Sequence, residues 1–326
     1  MKEQLITKKI LKWYDLNKRS LPWRKNVSLK KKQYFTLVSE FMLQQTQVVT
    51  VIPYFNRFIK NIPDIKSLSK VPNKKIIKLW EGLGYYSRAQ NLKKTAQILT
   101  KTFKGRLPSS FEDLKSLPGI GNYTASAILA IAFNKNYIPL DGNIERVLKR
   151  YLYLKKDKEI QKKNLVQKKS IFGSSSRSSH YAQALMELGA LICKPTNPLC
   201  NQCPISKNCK SLQKKDFDLI KINKRNIDKY FLLKVYKKNQ RYLLIRNTKF
   251  NFLKNLAIFP MEELSKSKNF NQNLNLKMSN MNMNIKIKYL KKIGKFQSPY
   301  WVDEKKLDNY ILPSFTKKIV KYLEKN

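Results

Sequence analysis

Leu117-Pro118-Gly119-Ile120-Gly121-Asn122-Tyr123-Thr124-Ala125 (LPGIGNYTA, residues 117–125) decides the fold. The glycines stand between two segments of helical pattern. The first of these opens at Pro108-Ser109-Ser110-Phe111-Glu112, a capping-box start. Gly119 and Gly121 permit a tight turn whose backbone N–H groups point outward at the start of the next helix. Such a terminus binds a phosphate through its amides and dipole without reading base sequence. In isolation, a P-G-x-G run is an ordinary turn between helices. Further along, Asp141-Gly142-Asn143 marks another helix start twenty residues beyond Gly121, where an aspartate serves first as an N-cap.

Four cysteines follow, at Cys193, Cys200, Cys203 and Cys209, within CKPTNPLCNQCPISKNC, and the 326 residues hold no other. Four soft thiolates in seventeen positions read as one metal site. A disulfide pair is the competing reading, but the chain shows no secretory signal. Spacing leaves zinc and an iron–sulfur cluster both open. Zinc ribbons use two separated C-x2-C knuckles, whereas only the central pair here has that spacing, and thiolate-held [4Fe–4S] clusters tolerate uneven runs.

Lys+Arg 67 against Asp+Glu 21 gives a net charge of +46. Basic surface gains affinity for a polyanion by releasing counterions. Drift toward A- and T-rich codons, visible in the joint abundance of lysine, asparagine and isoleucine, accounts for part of the excess. The longest apolar stretch, Ala125–Phe133, is far short of the roughly 20 residues of a membrane span. The first residues, MKEQLITKKILKWYDL, space Leu5, Ile6, Ile10, Leu11 and Tyr14 as an amphipathic helix rather than a signal peptide. A cytoplasmic, nucleoid-associated protein is expected.

The periodicity predicts helices up to about residue 211. One runs over 34–50 and is broken by Pro53. Another follows Pro72, with a glycine bend at Gly82–Gly84, and more span 122–133, 143–153 and 180–192. Beyond the cysteines, KYFLLKVYKKNQRYLLIRN (229–247) reads as a hairpin. Residues 263–285, rich in Asn, Ser, Lys and Met, read as a floppy insertion, and Phe315–Leu323 as a last helix. The expected domains are 1–212, a linker at 213–228, and a small α+β part over 229–326.

The turn LPGIGNYTA, the aspartate of PLDGNIERVL (139–148) and the cysteine run resemble the helix-hairpin-helix base-excision glycosylase superfamily. Within it, LPWR (21–24), SEFMLQQTQV (39–48) and WEGLGYYSRAQNL (80–92) are similar to the MutY family, adenine glycosylases acting on adenine mispaired with guanine or 8-oxoguanine. The likeness covers about residues 5–210. It implies a mainly α, two-lobed helical glycosylase with a [4Fe–4S] loop at 193–209, followed by a reduced Nudix-like domain. It implies one cluster per chain, held by Cys193, Cys200, Cys203 and Cys209, and action as a monomer on double-stranded DNA.

Hydrolysis of an N-glycosidic bond needs protonation of the departing base and stabilisation of a cationic sugar, which two carboxylates can supply. Glu40 lies among Leu37, Val38, Phe41, Met42 and Leu43, where a carboxyl loses solvation and holds its proton, as a general acid should. The resemblance makes Asp141 the anion facing the sugar, with Tyr123 and Asn143 hydrogen-bonding in the site. It makes Gln44, Gln45 and Tyr85 the residues that fill the gap left by the extruded base, and Trp23, Arg24 and Gln183 its surroundings. Gly119 and Gly121 hold the backbone contact to DNA. The segment Lys25–Gln33 is about four residues longer than usual in the family, with a basic run at Lys30–Lys32.

The lyase branch of the superfamily carries a Schiff-base lysine where this chain has Tyr123, and a tyrosine cannot form an imine. A monofunctional glycosylase is therefore expected. The alternatives are a bifunctional pyrimidine-lesion glycosylase-lyase and a non-catalytic DNA-binding remnant. His180 is the single histidine, which argues against histidine-based catalysis. The Phe-Ser-His loop that contacts 8-oxoguanine in the family is not visible around LKKIGKFQ (290–297), and no Nudix hydrolase signature is present. Reduced discrimination between 8-oxoguanine and guanine is expected.

Overall fold

A computed structural model describes residues 5–155, 162–217, 226–265, 270–278, 280–294, 296 and 299–325. Much of the expected linker, 218–225, and parts of 263–285 and 290–297 lie outside them. The chain divides into two units, one of residues 1–71 with 90–221 and one of residues 72–89 with 222–326.

The first unit is helical. Helices α1 (Leu5–Asn17), α2 (Leu29–Leu43), α3 (Val48–Asn61) and α4 (Ile65–Lys70) precede most of α6 (Ser87–Thr102). Then come α7 (Phe111–Ser116), α8 (Asn122–Phe133), α9 (Gly142–Leu152), α10 (Lys162–Lys168) and α11 (Ser178–Glu187). The last runs into one π-helical turn, Leu188–Ile192, before the cysteine loop and a short α12 (Lys210–Gln213). Helix α8 is apolar on every side. Ala125, Ala127, Ile128, Leu129, Ala130 and Ala132 are all buried, as expected for a helix central to a core. Its alanines let α2 and α11 pack close on two sides. A second core joins Ile10, Leu11 and Tyr14 of α1 to Ile144, Val147 and Leu148 of α9 and Tyr181, Ala184 and Leu185 of α11.

The expected helix over 34–50 is really two. Helix α2 stops at Leu43, four residues of irregular backbone follow, and α3 begins at Val48 with Pro53 inside it. The break comes at Gln45, whose φ is +56°. Pro53 is tolerated because it is near the start of α3 and withholds a donor only from Val49, which is open to solvent.

The second unit opens with α5 (Asn73–Trp80) and the glycine bend, where Gly82 and Gly84 have φ of +99° and +75°. Its strands are β1 (Ile227–Val235), β2 (Lys237–Lys238), β3 (Arg241–Arg246), β4 (Ala257–Ile258), β5 (Met261–Leu264), β6 (Leu274–Met278), β7 (Met281–Tyr289) and β8 (Tyr300–Asp303). A final helix, α13 (Ser314–Leu323), closes the chain. One sheet runs β5-β1-β7-β6, with β1 and β7 parallel. The other runs β2-β3-β4, with β8 on β3. Phe231, Leu233, Tyr242, Phe259, Ile285 and Ile319 lie in the core of this unit.

Two expectations are corrected here. Residues 229–247 do not form one hairpin: β1 and β3 belong to different sheets, and the turn at Asn239–Gln240 joins β3 to the two-residue β2 instead. Within 263–285, the described residues 274–278 and 281–285 are ordered strand rather than loose insertion. Leu274, Leu276, Met283 and Ile285 alternate with polar neighbours, so β6 and β7 form an antiparallel pair with an apolar face.

Candidate active site

Helix α2 is long enough to carry Glu40 into the interior, where it is 4% exposed. Burial pushes the Glu40 carboxyl up to about 7. A hydrogen bond from Tyr123 opposes this, the nearby Asp141 adds to it, and Arg24 pulls slightly the other way. Its Oε2 is buried with no hydrogen-bond partner among the described residues. The Tyr123 hydroxyl, held in the first turn of α8, is pushed well above its ordinary range, by burial first and then by the two carboxylates.

Asp141 is the N-cap of α9. Its Oδ1 accepts from the Ile144 N–H at 2.7 Å, and its Oδ2 from Asn143 Nδ2 at 2.9 Å. Burial raises its carboxyl, while those bonds and Arg146 restrain the rise. The cap role and a role as anion are compatible: a carboxylate fixed by two donors and a helix N-terminus is already oriented before any ligand arrives.

Glu40, Asp141, Tyr123 and Asn143 line one cavity of about 1380 Å³, together with Trp23, Arg24, Gln44, Gln45, Gly119, Gly121 and Gln183. Every sequence-derived site residue of the first unit outside the cysteine loop thus borders a single space. Trp23 packs edge-on to Phe55 at 5.3 Å. Gln44 Nε2 donates to the Gly119 carbonyl at 3.1 Å, which ties the loop after α2 to the glycine turn. Gln183 Nε2 donates to the Ser179 carbonyl at 2.9 Å. Tyr85 belongs to the second unit. It is exposed on the glycine bend with φ of +46°, and the Arg88 guanidinium lies 5.5 Å from its ring.

The two turn glycines differ. Gly119 has φ of +81°, and a Cβ there would come within 2.8 Å of Phe41 Cε1 and 2.9 Å of Asn91 Cβ. A Cβ at Gly121 would meet nothing within 4 Å, and its φ of −97° suits any residue. Only Gly119 is required by the turn itself.

Four residues escaped the sequence reading. Glu187 is fully buried and accepts from Arg19 Nε at 2.7 Å and Nη2 at 3.0 Å, and from Arg24 Nη1 at 2.7 Å. Arg146 donates to the Cys193 carbonyl at 2.7 Å, the Gly189 carbonyl at 2.7 Å and Asn143 Oδ1 at 2.9 Å. A run of bonds thus joins the start of the cysteine loop to Asp141. Gly189 makes that approach possible: a Cβ there would lie 2.6 Å from Asn143 Cβ. Arg19 adjoins the LPWR motif and Glu187 lies in α11 opposite it, but no spacing rule pairs them.

The four cysteines are free thiols lining one small cavity of about 30 Å³, with Arg150 and Phe217 on its wall. Arg150, buried, donates to the Lys194 and Pro195 carbonyls at 2.6 and 2.7 Å and touches Cys193 Sγ at 3.5 Å. Burial, with repulsion from neighbouring thiols added, raises Cys200, Cys203 and Cys209, Cys203 to about 11. As neutral thiols they share the void; to ionise together they would take a cationic centre between them. Among the described residues, no three His, Cys, Asp or Glu side chains gather as ligands of a single ion. Four sulfurs lining one void are a donor set that fits a metal centre.

The comparisons agree with this architecture. Residues 38–170 match the HhH-GPD superfamily of base excision DNA repair proteins. The adenine DNA glycosylase of Buchnera aphidicola subsp. Baizongia pistaciae is 44% identical over 257 residues, 77% of this chain and 72% of that protein. The adenine DNA glycosylase of Homo sapiens is 39% identical over 216 residues, 63% of this chain and 39% of its own length. Among solved structures, a thermostable thymine-DNA glycosylase matches with a TM-score of 0.58 at 27% identity, covering 64% of this chain and 96% of that one. An endonuclease III trapped on DNA shares the fold, with a TM-score of 0.53 at 19% identity over 66% of this chain and 99% of that one. No helix among the described residues is long and apolar enough to cross a membrane. With that sequence likeness over most of its length and the helix-hairpin-helix fold beneath it, the chain belongs to the adenine DNA glycosylase family.

Proposed function

We propose that this protein excises adenine from double-stranded DNA where it is mispaired with guanine or 8-oxoguanine, as a monofunctional glycosylase of base excision repair. The observation that carries the reading is the pairing of Glu40 and Asp141 on one cavity, one carboxyl buried and pushed up to about 7, the other held by two donors. Glu40 donates its proton to the ring of the departing adenine. Asp141, as the anion, stabilises the cationic sugar until water adds. Tyr123 bonds to Glu40 and orients its carboxyl, while Asn143 does the same for Asp141. Trp23, Arg24 and Gln183 surround the extruded base, and Gln44, Gln45 and Tyr85 fill the gap left in the duplex. The backbone at Gly119 and Gly121 takes a phosphate.

Cys193, Cys200, Cys203 and Cys209 hold a [4Fe–4S] cluster that stiffens the loop after α11. The boundaries 1–212 and 229–326, with a linker between, remain the domain reading. Without the Phe-Ser-His loop, discrimination between 8-oxoguanine and guanine is reduced.

Single-turnover assays on duplexes with adenine opposite 8-oxoguanine, guanine or cytosine test the reading. Adenine release from the first two at comparable rates, with no strand nicking and no adduct on borohydride reduction, is the expected result. On a further duplex carrying a damaged pyrimidine, release of that base with a trapped adduct points to the lyase, and binding without release of any base from any duplex points to the non-catalytic remnant.

A further inference from the structure

The cavity extends beyond the two carboxylates. On α2, Lys32 precedes Glu40 by eight residues, about 12 Å at the helical rise, and lines the same space as Lys18, just past α1, and His180, in the first turn of α11. Lys32 is half-buried, and its Nζ contacts Ser179 Oγ at 3.4 Å. Lys18 Nζ lies 5.7 Å from the Tyr14 ring, whose centroid is 6.2 Å from that of His180. Among the described residues, no carboxylate forms an ion pair with Lys18 or Lys32. The nearby acids are engaged elsewhere, Asp15 by both terminal nitrogens of Arg177 at 2.6 and 2.9 Å, and Glu187 by Arg19 and Arg24.

The groups facing His180 are Tyr14, Asp15 and Lys18 from the α1 side, Lys32 from α2, and Arg177 just ahead of α11. Burial and then the three cations hold its imidazole below the ordinary histidine value, with Asp15 opposing. Two ammonium groups outside any ion pair, Lys18 with Asp15 in its field, and one imidazole line the same space; the Ser179 hydroxyl beside Lys32 donates to the Ile131 carbonyl at 2.9 Å. Ammonium groups act as point charges and suit a compact tetrahedral anion better than a planar carboxylate.

We propose that Lys18, Lys32 and His180 form an oxyanion subsite for a phosphate group, at the end of the cavity away from Glu40. The phosphate comes either from a DNA backbone or from a free phosphate or its monoesters. The site stands on the cavity and its charges, whatever base the protein removes; only the DNA source rests on the function proposed above.

Because His180 is the one histidine, its ring protons report the site directly by NMR. The full chain is titrated with inorganic phosphate against chloride at constant ionic strength. A saturable shift of the His180 signals is expected, with the midpoint of its pH titration raised by about half a unit or more, since an anion favours the imidazolium. Both effects should vanish in the Lys18→Met/Lys32→Met double variant and persist in Lys32→Arg, which keeps the charge. A fully paired duplex in place of phosphate assigns the source: a response identifies the DNA backbone, and its absence beside a phosphate response identifies free phosphate. Silence of His180 toward both, or a response that survives in the double variant, overturns the proposal.

Discussion

Glu40 holds its proton at a pH where most glutamates have lost theirs, and this has a cost in folding. Its folded value of about 7 is above the ordinary 4.5, so between those values the folded chain binds more protons than the unfolded one. Stability contributed by the neutral carboxyl is present below 4.5 and is lost as pH rises through about 7. By about pH 8 the loss is on the order of 3 kcal/mol. Glu40→Gln keeps the shape and removes the titration. Its stability advantage in urea unfolding should therefore grow from nil near pH 4 to about that amount at pH 8, while single-turnover adenine release falls by about a thousandfold or more. In the parent, release should decline as pH rises through about 7, because the acid is then spent. The glycines give a second contrast at this scale. Gly119→Ala forces φ of +81° on a side chain that meets Phe41 and Asn91, and should cost about 2 kcal/mol or more. Gly121→Ala should leave thermal stability nearly unchanged. Glu40, Asp141 and the cysteines were legible in the sequence because each belongs to a local run. Glu187, Arg19, Arg146 and Gly189 were not, because their partners lie 43 to 168 residues away and only packing brings them together.

Among the elements, the π turn Leu188–Ile192 joins the cysteine loop to α9. Gly189→Ala would drive a methyl into Asn143 and unseat a donor to Asp141. Single-turnover release is expected to fall by about tenfold to a hundredfold with a smaller change in unfolding midpoint, because the displaced residue orients the anion and is peripheral to the core. Cys203→Ser should lose the visible absorption and bound iron of a cluster, along with solubility. A colourless, active protein that carries zinc would overturn that assignment. Helix existence was readable from period and caps: Ser110 accepts from the Asp113 N–H at 3.1 Å, as its position implies. Strand partners were not. Alternation fixes which side of a strand is apolar but not what lies beside it, so β1 and β3 read as a hairpin although they serve different sheets.

At the scale of the whole molecule, the net charge of +46 suits a polyanion partner, even though codon drift accounts for part of it. Binding of duplex DNA should weaken steeply with salt. If about six phosphates are neutralised, affinity should drop by roughly a thousandfold between 50 and 200 mM salt, as measured by fluorescence anisotropy. A flat salt response would mean that the charge is spread over surfaces that never meet DNA. The fold class and the helical part were legible from motifs spread along the first two hundred residues. The α+β part was legible only in outline, because β6 and β7 are written in asparagine, lysine and methionine, whose composition hides a strand pattern.

The buried carboxylate of Glu187, clamped by Arg19 and Arg24, has a consequence for the sequence of events. Two guanidinium groups against one acid leave the cavity wall with a surplus of positive charge, which repels any purine that arrives already cationic. On the function proposed above, the hydrogen ion is stored on Glu40 before the nucleotide arrives, and each turnover then ends with a reload from water before the next nucleotide is cut.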